Sequence, residues 1–319
     1  MTPLRRNENS NNSSRIRSSS SNAGSSANIN KMTAVFVMVF LAIAVIVVMP
    51  RMAEMNQAEN ALRATVEGGG SGVLEVHFID VGQGDAVLFL GSDFNILLDA
   101  GRHDRDDVVP YLRSAGVEFL NLIIATHPHA DHIGQLDNVL NEFNVAEIWM
   151  SGDIHNTSTF DRVIDAIINS DTTYNEPRAG ERYRIGSVTL EVLNPETITG
   201  NLHEGCIAVR VLYGEIAFLF TGDIEKPTEM AIIERGHNVS AQIFHLGHHA
   251  SGASNSREFL ERVQPEVAIY SAGIDNTYGH PHEEVVKRIE EMGITIYGTD
   301  VFGTIVVTTD GITYEVITR

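Results

Sequence analysis

Apolar positions in residues 73–319 follow two rhythms. The runs "VLEVHFIDV" (73–81), "AVLFL" (86–90) and "NILLDA" (95–100) are short, rich in Val, Leu, Ile and Phe, and end at turn residues. They read as strands. "FLNLIIAT" (119–126) is nearly continuous, the pattern of a strand covered on both faces. "DDVVPYLRSAG" (106–116) and "TFDRVIDAIINS" (159–170) carry apolar residues three and four apart and predict helices. So does "HIGQLDNVLNEF", whose Ile133, Leu136, Val139, Leu140 and Phe143 place a helix start around Ile133. Three more strands follow in "SVTLEVLN", "CIAVRVLYG" and "EIAFLFTG", after which helices (226–235, 256–263, 282–292) alternate with strands to the end. Two strand-rich blocks, each followed by helices, predict an α/β fold: a four-layer αββα sandwich with helices outside two facing sheets.

The first 72 residues obey neither rhythm. Residues 1–31 are Ser- and Asn-rich with little to bury, the composition of a disordered tail. Residues 32–49, "MTAVFVMVFLAIAVIVVM", hold no charge. As a helix they reach roughly 27 Å, enough to span a hydrocarbon core. A buried core helix would have nothing to pack on in that polar tail. A cleaved signal would have a shorter basic leader and an A-x-A site, so the run reads as a transmembrane signal anchor. Arg5, Arg6, Arg15, Arg17 and Lys31 precede it, which places the N-terminus in the cytoplasm and the rest outside the cell membrane. Residues 50–72 read as a juxtamembrane segment ending in the linker "GGGSG", with the folded domain over 73–319.

Charge sharpens this division. The chain totals −20, while residues 1–31 carry +4, so the remainder carries −24. So acidic a body argues against gripping nucleic acid through a basic face. It leaves nucleic acid possible as a substrate, since bound metal ions can supply local positive charge. Cys206 is the only cysteine, so no internal disulfide forms.

The chemistry concentrates in "NLIIATHPHADHIGQL" (121–136). His127, His129, Asp131 and His132 fall within six positions, directly after an apolar strand. Neutral imidazoles and a carboxylate so spaced can serve two adjacent divalent ions, Zn²⁺ or Mn²⁺ among them. Asp223 in "FLFTGDIE" ends another apolar strand and can join them, or cap the helix that follows.

"THPHADHIG" resembles the H-x-H-x-D-H signature of the metallo-β-lactamase-fold superfamily. "HFIDVGQGDAVLF", "NILLDAG", "VVPYLRSAGV", "VLNP", "FLFTGDIE", "HLGHHASGASN", "YGHPH" and "GTI" extend the resemblance over about residues 73–310. They occur in the order seen in the extracellular hydrolase domain of ComEC-type competence proteins. The resemblance implies His127 and His129 in one metal site, Asp131, His132 and His248 in a second, and Asp223 bridging. It implies that Asp80 accepts a hydrogen bond from a ligating histidine, and that Gly82 and Gly84 turn the backbone beneath the site. His249, pointing the opposite way along an extended segment, would stand behind the ligands. Asp99 is either a supporting carboxylate or a plain turn residue. The third histidine of site one has no clear counterpart: His203, Cys206 or no residue fills it, and one site is then weak.

Asp131 can both ligate and orient the nucleophile, a metal-activated hydroxide. His280, and less so His282 and Tyr278, can contact substrate or protonate the leaving group, or else be turn residues ahead of a helix. The expected function is a membrane-anchored metal-dependent hydrolase, and the resemblance tilts it toward phosphodiesters, as a nuclease of the ComEC-like type. The acidic body favours the alternative, small or cell-wall-linked esters or lactones. A binding module with a degenerate site is the remaining reading. No obligate protein partner is evident.

Overall fold

Strands apolar on both faces need two covers, and the fold provides them by stacking one sheet on another. The structure is a computed structural model that describes residues 72–274 and 276–318. The expected tail (1–31), anchor (32–49) and all of 50–72 except Gly72 lie outside the described residues. Among the described residues no helix is long and apolar enough to cross a membrane.

The first sheet holds β1 (Leu74–Phe78), β2 (Val87–Leu90), β3 (Asn95–Leu98), β4 (Phe119–Ile124), β5 (Asn144–Trp149), β6 (Thr173–Asn175), β14 (Ile305–Thr309) and β15 (Tyr314–Thr318). Its order is β15-β14-β1-β2-β3-β4-β5-β6. The second holds β7 (Arg182–Ile185), β8 (Val188–Asn194), β9 (Ala208–Tyr213), β10 (Ile216–Phe220), β11 (Ile243–His245), β12 (Val267–Tyr270) and β13 (Thr295–Gly298), in the order β13-β12-β11-β10-β9-β8-β7. Each sheet is antiparallel at one side and parallel at the other, the parallel parts being β3 to β6 and β10 to β13.

Alternation decides which residues face which layer. Val76, Phe78, Val87 and Phe89 of the first sheet meet Phe218, Phe220 and Ile243 of the second in the central core. The opposite faces pack under helices. Leu88, Leu97 and Ile123 lie beneath α1 (Val108–Ser114), α2 (Leu136–Glu142) and α3 (Ser158–Ile168). Leu219, Phe244 and Ala268 lie beneath α4 (Lys226–Glu234), α5 (Arg257–Val263) and α6 (Glu283–Glu291). The result is the expected αββα sandwich. Phe220 is fully buried between the sheets, and removing its ring would cost about 3–5 kcal/mol.

Three local readings differ from expectation. β6 and β7 carry too little apolar alternation to stand out: β7 is "RYRI" at a sheet edge, half its residues exposed. α2 starts at Leu136 rather than Ile133, because Gly134 and Gln135 donate their N–H groups to Gly101 and Ala100. Asp223 is not a helix cap. Glu225 occupies the N-cap position of α4, which leaves the Asp223 carboxylate to face elsewhere.

Candidate metal centre

The loops that carry the histidines leave the carboxyl ends of β4, β10, β11 and β12, where open α/β sheets present their ligand sites. After β4 the chain turns through His127–His132, closed by the His132 and Ile133 N–H groups donating to the His129 carbonyl at 3.1 and 3.0 Å. The β3 loop clamps this turn: Ala100 N–H donates to the His132 carbonyl and His103 N–H to that of Ala130. Gly84, at φ +149°, lets the β1–β2 turn press on the Asp131 carbonyl, where a Cβ would collide.

After β11 the chain does something costly. His248, His249 and Ala250 all sit at φ between 53° and 59°, a left-handed turn of three non-glycine residues. Asn255 holds it, donating to the Gly247 carbonyl and accepting from the Gly247 N–H, both at 2.9 Å. In an extended segment neighbouring side chains point apart. In this tight turn both imidazoles reach the cluster.

Asp223 stands at the centre. Its Oδ1 is 3.3 Å from His132 Nε2, and its Oδ2 is 3.6 Å from His127 Nε2 and 3.7 Å from His248 Nε2. On one side, His127, His129, His203 and Asp223 bring ligand atoms within 4.8 Å of one another. On the other, Asp131, His132 and His249 do the same, with His249 Nε2 3.3 Å from Asp131 Oδ2. A third set, His203, Glu225 and His248, borders the first.

Carboxylates fix the rings from behind. Asp99, fully buried, accepts from His132 Nδ1 at 2.8 Å and from the Thr126 hydroxyl at 2.7 Å, and Thr126 in turn meets His127 Nδ1 at 3.2 Å. Asp85 lies 3.3 Å from His249 Nδ1, which also donates to the Ser271 carbonyl. Glu225 lies 3.3 Å from His203 Nδ1. Such partners set the tautomer that leaves the opposite nitrogen as a ligand.

The buried charges divide the protons. Burial alone would lower His132 and His249, but Asp223 with Asp99, and Asp85 with Asp223, outweigh it and hold both imidazoles well above their usual value. Burial pushes Asp131 and Asp223 up, but facing imidazoles, His132 first, bring both below the usual carboxylate range. Burial lowers His127 strongly, and takes His129 to about 4 with the help of His132.

Several expectations need correction. The histidine grouped with Asp131 and His132 is His249; His248 stands beside Asp223, His203 and Glu225 instead. The left-handed turn is the reason, since it removes the alternation of an extended segment that would favour His248. Asp80 meets no histidine: it is exposed and accepts from the Gly82 N–H at 3.0 Å. The supporting carboxylates are Asp85, Asp99 and Glu225. Asp85 closes the run "VGQGD" (81–85), where no spacing to a histidine marks it. Only its buried position distinguishes it from the exposed Asp80.

His203 joins the first set, whereas Cys206 is buried beside it, its thiol pushed well up by burial. His280 does line the site, with its ring centroid 5.7 Å from those of both His248 and His249. Burial and these neighbours lower it to about 4. Gln83 orients it: the Gln83 Oε1 accepts from Gly273 N–H, so the amide nitrogen faces His280 Nδ1 at 3.3 Å. His282 instead accepts the Gly252 N–H at 2.7 Å.

A cavity of about 330 Å³ opens above the cluster, lined by His129, Asp131, His203, Asp223, His249 and His280 among others. His132 Nε2, Asp223 Oδ1 and His248 Nδ1 are buried without a hydrogen-bond partner. Unsatisfied buried polar atoms are costly unless something else binds them. Imidazole nitrogens and carboxylate oxygens converging in this way fit divalent metal ions.

The comparisons with known proteins agree with this geometry. The Metallo-beta-lactamase superfamily pattern matches residues 79–274. ComE operon protein 3 of Bacillus subtilis is 28% identical over 72% of this chain and 32% of its own length. Competence protein ComA of Neisseria gonorrhoeae is 32% identical over 70% of this chain and 30% of its own. The chain thus spans about a third of these curated relatives. Among solved structures, the metallo-beta-lactamase fold protein YhfI of Bacillus subtilis superposes with a TM-score of 0.54 at 15% identity, over 74% of this chain and all of that one. The chain belongs to the metallo-beta-lactamase superfamily and has its metal-dependent hydrolase fold.

Proposed function

We propose that this protein is a phosphodiesterase that uses two divalent ions, Zn²⁺ or Mn²⁺, and acts on nucleic acid outside the cell membrane. The observation that carries the reading is Asp223, whose two oxygens face one imidazole of each donor set, His132 at 3.3 Å and His127 at 3.6 Å. We assign His127, His129 and His203 to one ion, Asp131, His132 and His249 to the other, and Asp223 to both. The resemblance to ComEC-type DNA-uptake competence proteins supports a nucleic-acid substrate, and the uncharged run 32–49 behind a basic flank supports a single-pass anchor with a cytoplasmic N-terminus.

Bound ions would supply Lewis acidity and make a water nucleophilic near neutral pH. The chain's own groups do the rest. Asp131 remains a carboxylate and accepts a hydrogen bond from the attacking water. Gln83 donates to His280 Nδ1, so the neutral ring carries its proton on Nε2, a donor for the leaving-group oxygen. A cavity of about 330 Å³ has room for a phosphodiester at the cluster.

The −24 charge outside residues 1–31 keeps a second reading open, a small or cell-wall-linked ester or lactone. With His203 beside His127 and His129, the degenerate-site reading loses its ground. The test is a substrate panel on the full-length protein with Zn²⁺ or Mn²⁺: single-stranded DNA, bis-p-nitrophenyl phosphate, a lactone and nitrocefin, each against His129→Ala. Phosphodiester cleavage lost in the variant is expected. Cleavage of the lactone alone would replace this reading with the second, and a fully active His129→Ala would remove the site assignment.

A further inference from the structure

Beside the metal cavity lies another of about 320 Å³, lined by Arg102, His103, Asn276 and Thr277. The two cavities share Gln83, Ala130, Asp131 and Tyr278, so they are neighbouring rooms with a common wall. Arg102 is the one guanidinium or ammonium among the described residues lining either. In a domain this acidic, a lone cation next to a metal centre is out of keeping with its surroundings. It is bound in place by Asp104, at 2.5 and 2.7 Å, yet both partners are open to water, with side-chain exposures of 39% and 51%. Exposed pairs of this kind hold weakly, and a phosphate offers the same forked acceptor geometry.

Tyr278 stands on the wall between the rooms. It is 66% exposed, unusual for so large a ring, and lies nearly parallel to His280 at 15° with centroids 5.8 Å apart. Its loop is tied down by one side chain. The Asn276 amide donates to the Gly273 and His280 carbonyls and accepts from the Tyr278 and His280 N–H groups. The ring is therefore presented on a braced loop. Aromatic faces so presented stack on unpaired bases, and a nearby cation takes the backbone.

Resting on the phosphodiesterase reading above, we propose that this cleft receives the phosphate adjacent to the scissile one in a single-stranded nucleic acid. Arg102 grips that phosphate and Tyr278 stacks on the base between the two. The contact reconciles a polyanionic substrate with an acidic body: the metal centre and one guanidinium hold two consecutive phosphates, and no broad basic face is needed.

The test compares the full-length protein with Arg102→Ala and Tyr278→Ala, the first half-exposed and the second exposed, neither a member of the hydrophobic core. Binding of a labelled single-stranded oligonucleotide with phosphorothioate linkages, which resist cleavage, is followed by fluorescence anisotropy with Mn²⁺ present, across a salt series. Arg102→Ala is expected to weaken binding about tenfold and to flatten the slope of log Kd against log salt by about 0.7, one phosphate contact. Tyr278→Ala is expected to weaken it about tenfold with the slope kept. In turnover with Mn²⁺, Arg102→Ala lowers the ratio of kcat/KM for the oligonucleotide to that for bis-p-nitrophenyl phosphate, which has no second phosphate. Equal losses on both substrates, an unaltered salt slope, or no oligonucleotide binding by the unmodified protein would each overturn the cleft assignment. Binding through Arg102 without cleavage of any phosphodiester would instead overturn the hydrolytic reading and leave the cleft standing.

Discussion

His132 and His249 are gripped from behind by buried carboxylates; His129 and His203 are held more lightly. His132 and His249 are buried, and Asp99 and Asp85 behind them are enclosed too. His129 and His203 are half-exposed, and the carboxylate behind His203 is Glu225, 41% exposed. The first half is built on the braced loops after β3, β4 and β11. The second borrows His203 from the loop between β8 and β9. On the proposed two-ion reading, a rigid donor set stands beside a more adaptable one, so that one ion would anchor while its neighbour adjusts to substrate.

The largest effect should come from the residue both halves share. Asp223→Ala removes a carboxylate that faces imidazoles of both donor sets, so both ions should be lost and hydrolysis should fall about a thousandfold or more. Metal content by atomic emission, with circular dichroism to check the fold, measures this. A variant that keeps both ions would mean that the halves are independent. Next in size, His203→Ala should empty only the lighter half. Metal content should drop from two to one and activity by about a hundredfold. Loss of both ions would erase the contrast between the halves.

Asp99→Asn attacks the rigid half through its support. A neutral amide cannot accept equally from Thr126 and His132, so affinity for the tighter ion should fall about 10–100-fold, read by competition with a chelator. The pH dependence follows from the same asymmetry. In the metal-free chain His132 and His249 titrate well above their usual value, so protons occupy the rigid half. Their stabilisation is complete below about 6.5, the unfolded value, and is lost as pH rises through the raised folded values. A cation displaces those protons. Its gain in Tm should therefore be larger at about pH 8 than at about pH 6, as differential scanning fluorimetry with and without Mn²⁺ would measure. His129, lowered to about 4, is neutral over that whole range and adds nothing to the trend.

In each half two of the three donors are readable in the sequence, and the third escapes for physical reasons. Layering follows from apolar runs that are buried on both faces, as in β10, where all five residues are covered. His127, His129, Asp131 and His132 are local in sequence, so spacing alone marks them. His249 escapes such reasoning because three consecutive left-handed residues are a tertiary choice, enforced by Asn255 from further along the chain. Asp80 and Asp85 both flank the same glycine turn, and only burial tells the exposed one from the one facing His249. His203 sits in a loop without periodicity, and nothing in its neighbours announces that the chain folds it over His129 at 5.1 Å between ring centroids.

The smallest expected effect concerns that last residue. Glu225 meets His203 Nδ1 at 3.3 Å, the lighter counterpart of Asp99 on His132. Being partly open to water, it competes with solvent for the imidazole proton, so the carboxylate adds orientation rather than strong charge stabilisation. Glu225→Gln keeps an acceptor oxygen in place and should lower affinity for the looser ion by only about fivefold, below the usual range for buried supports. Glu225→Ala should do more, because the ring then loses its tether. If Glu225→Gln matched Asp99→Asn in size, the two halves would be equally supported, and exposure would not be what makes one of them adaptable.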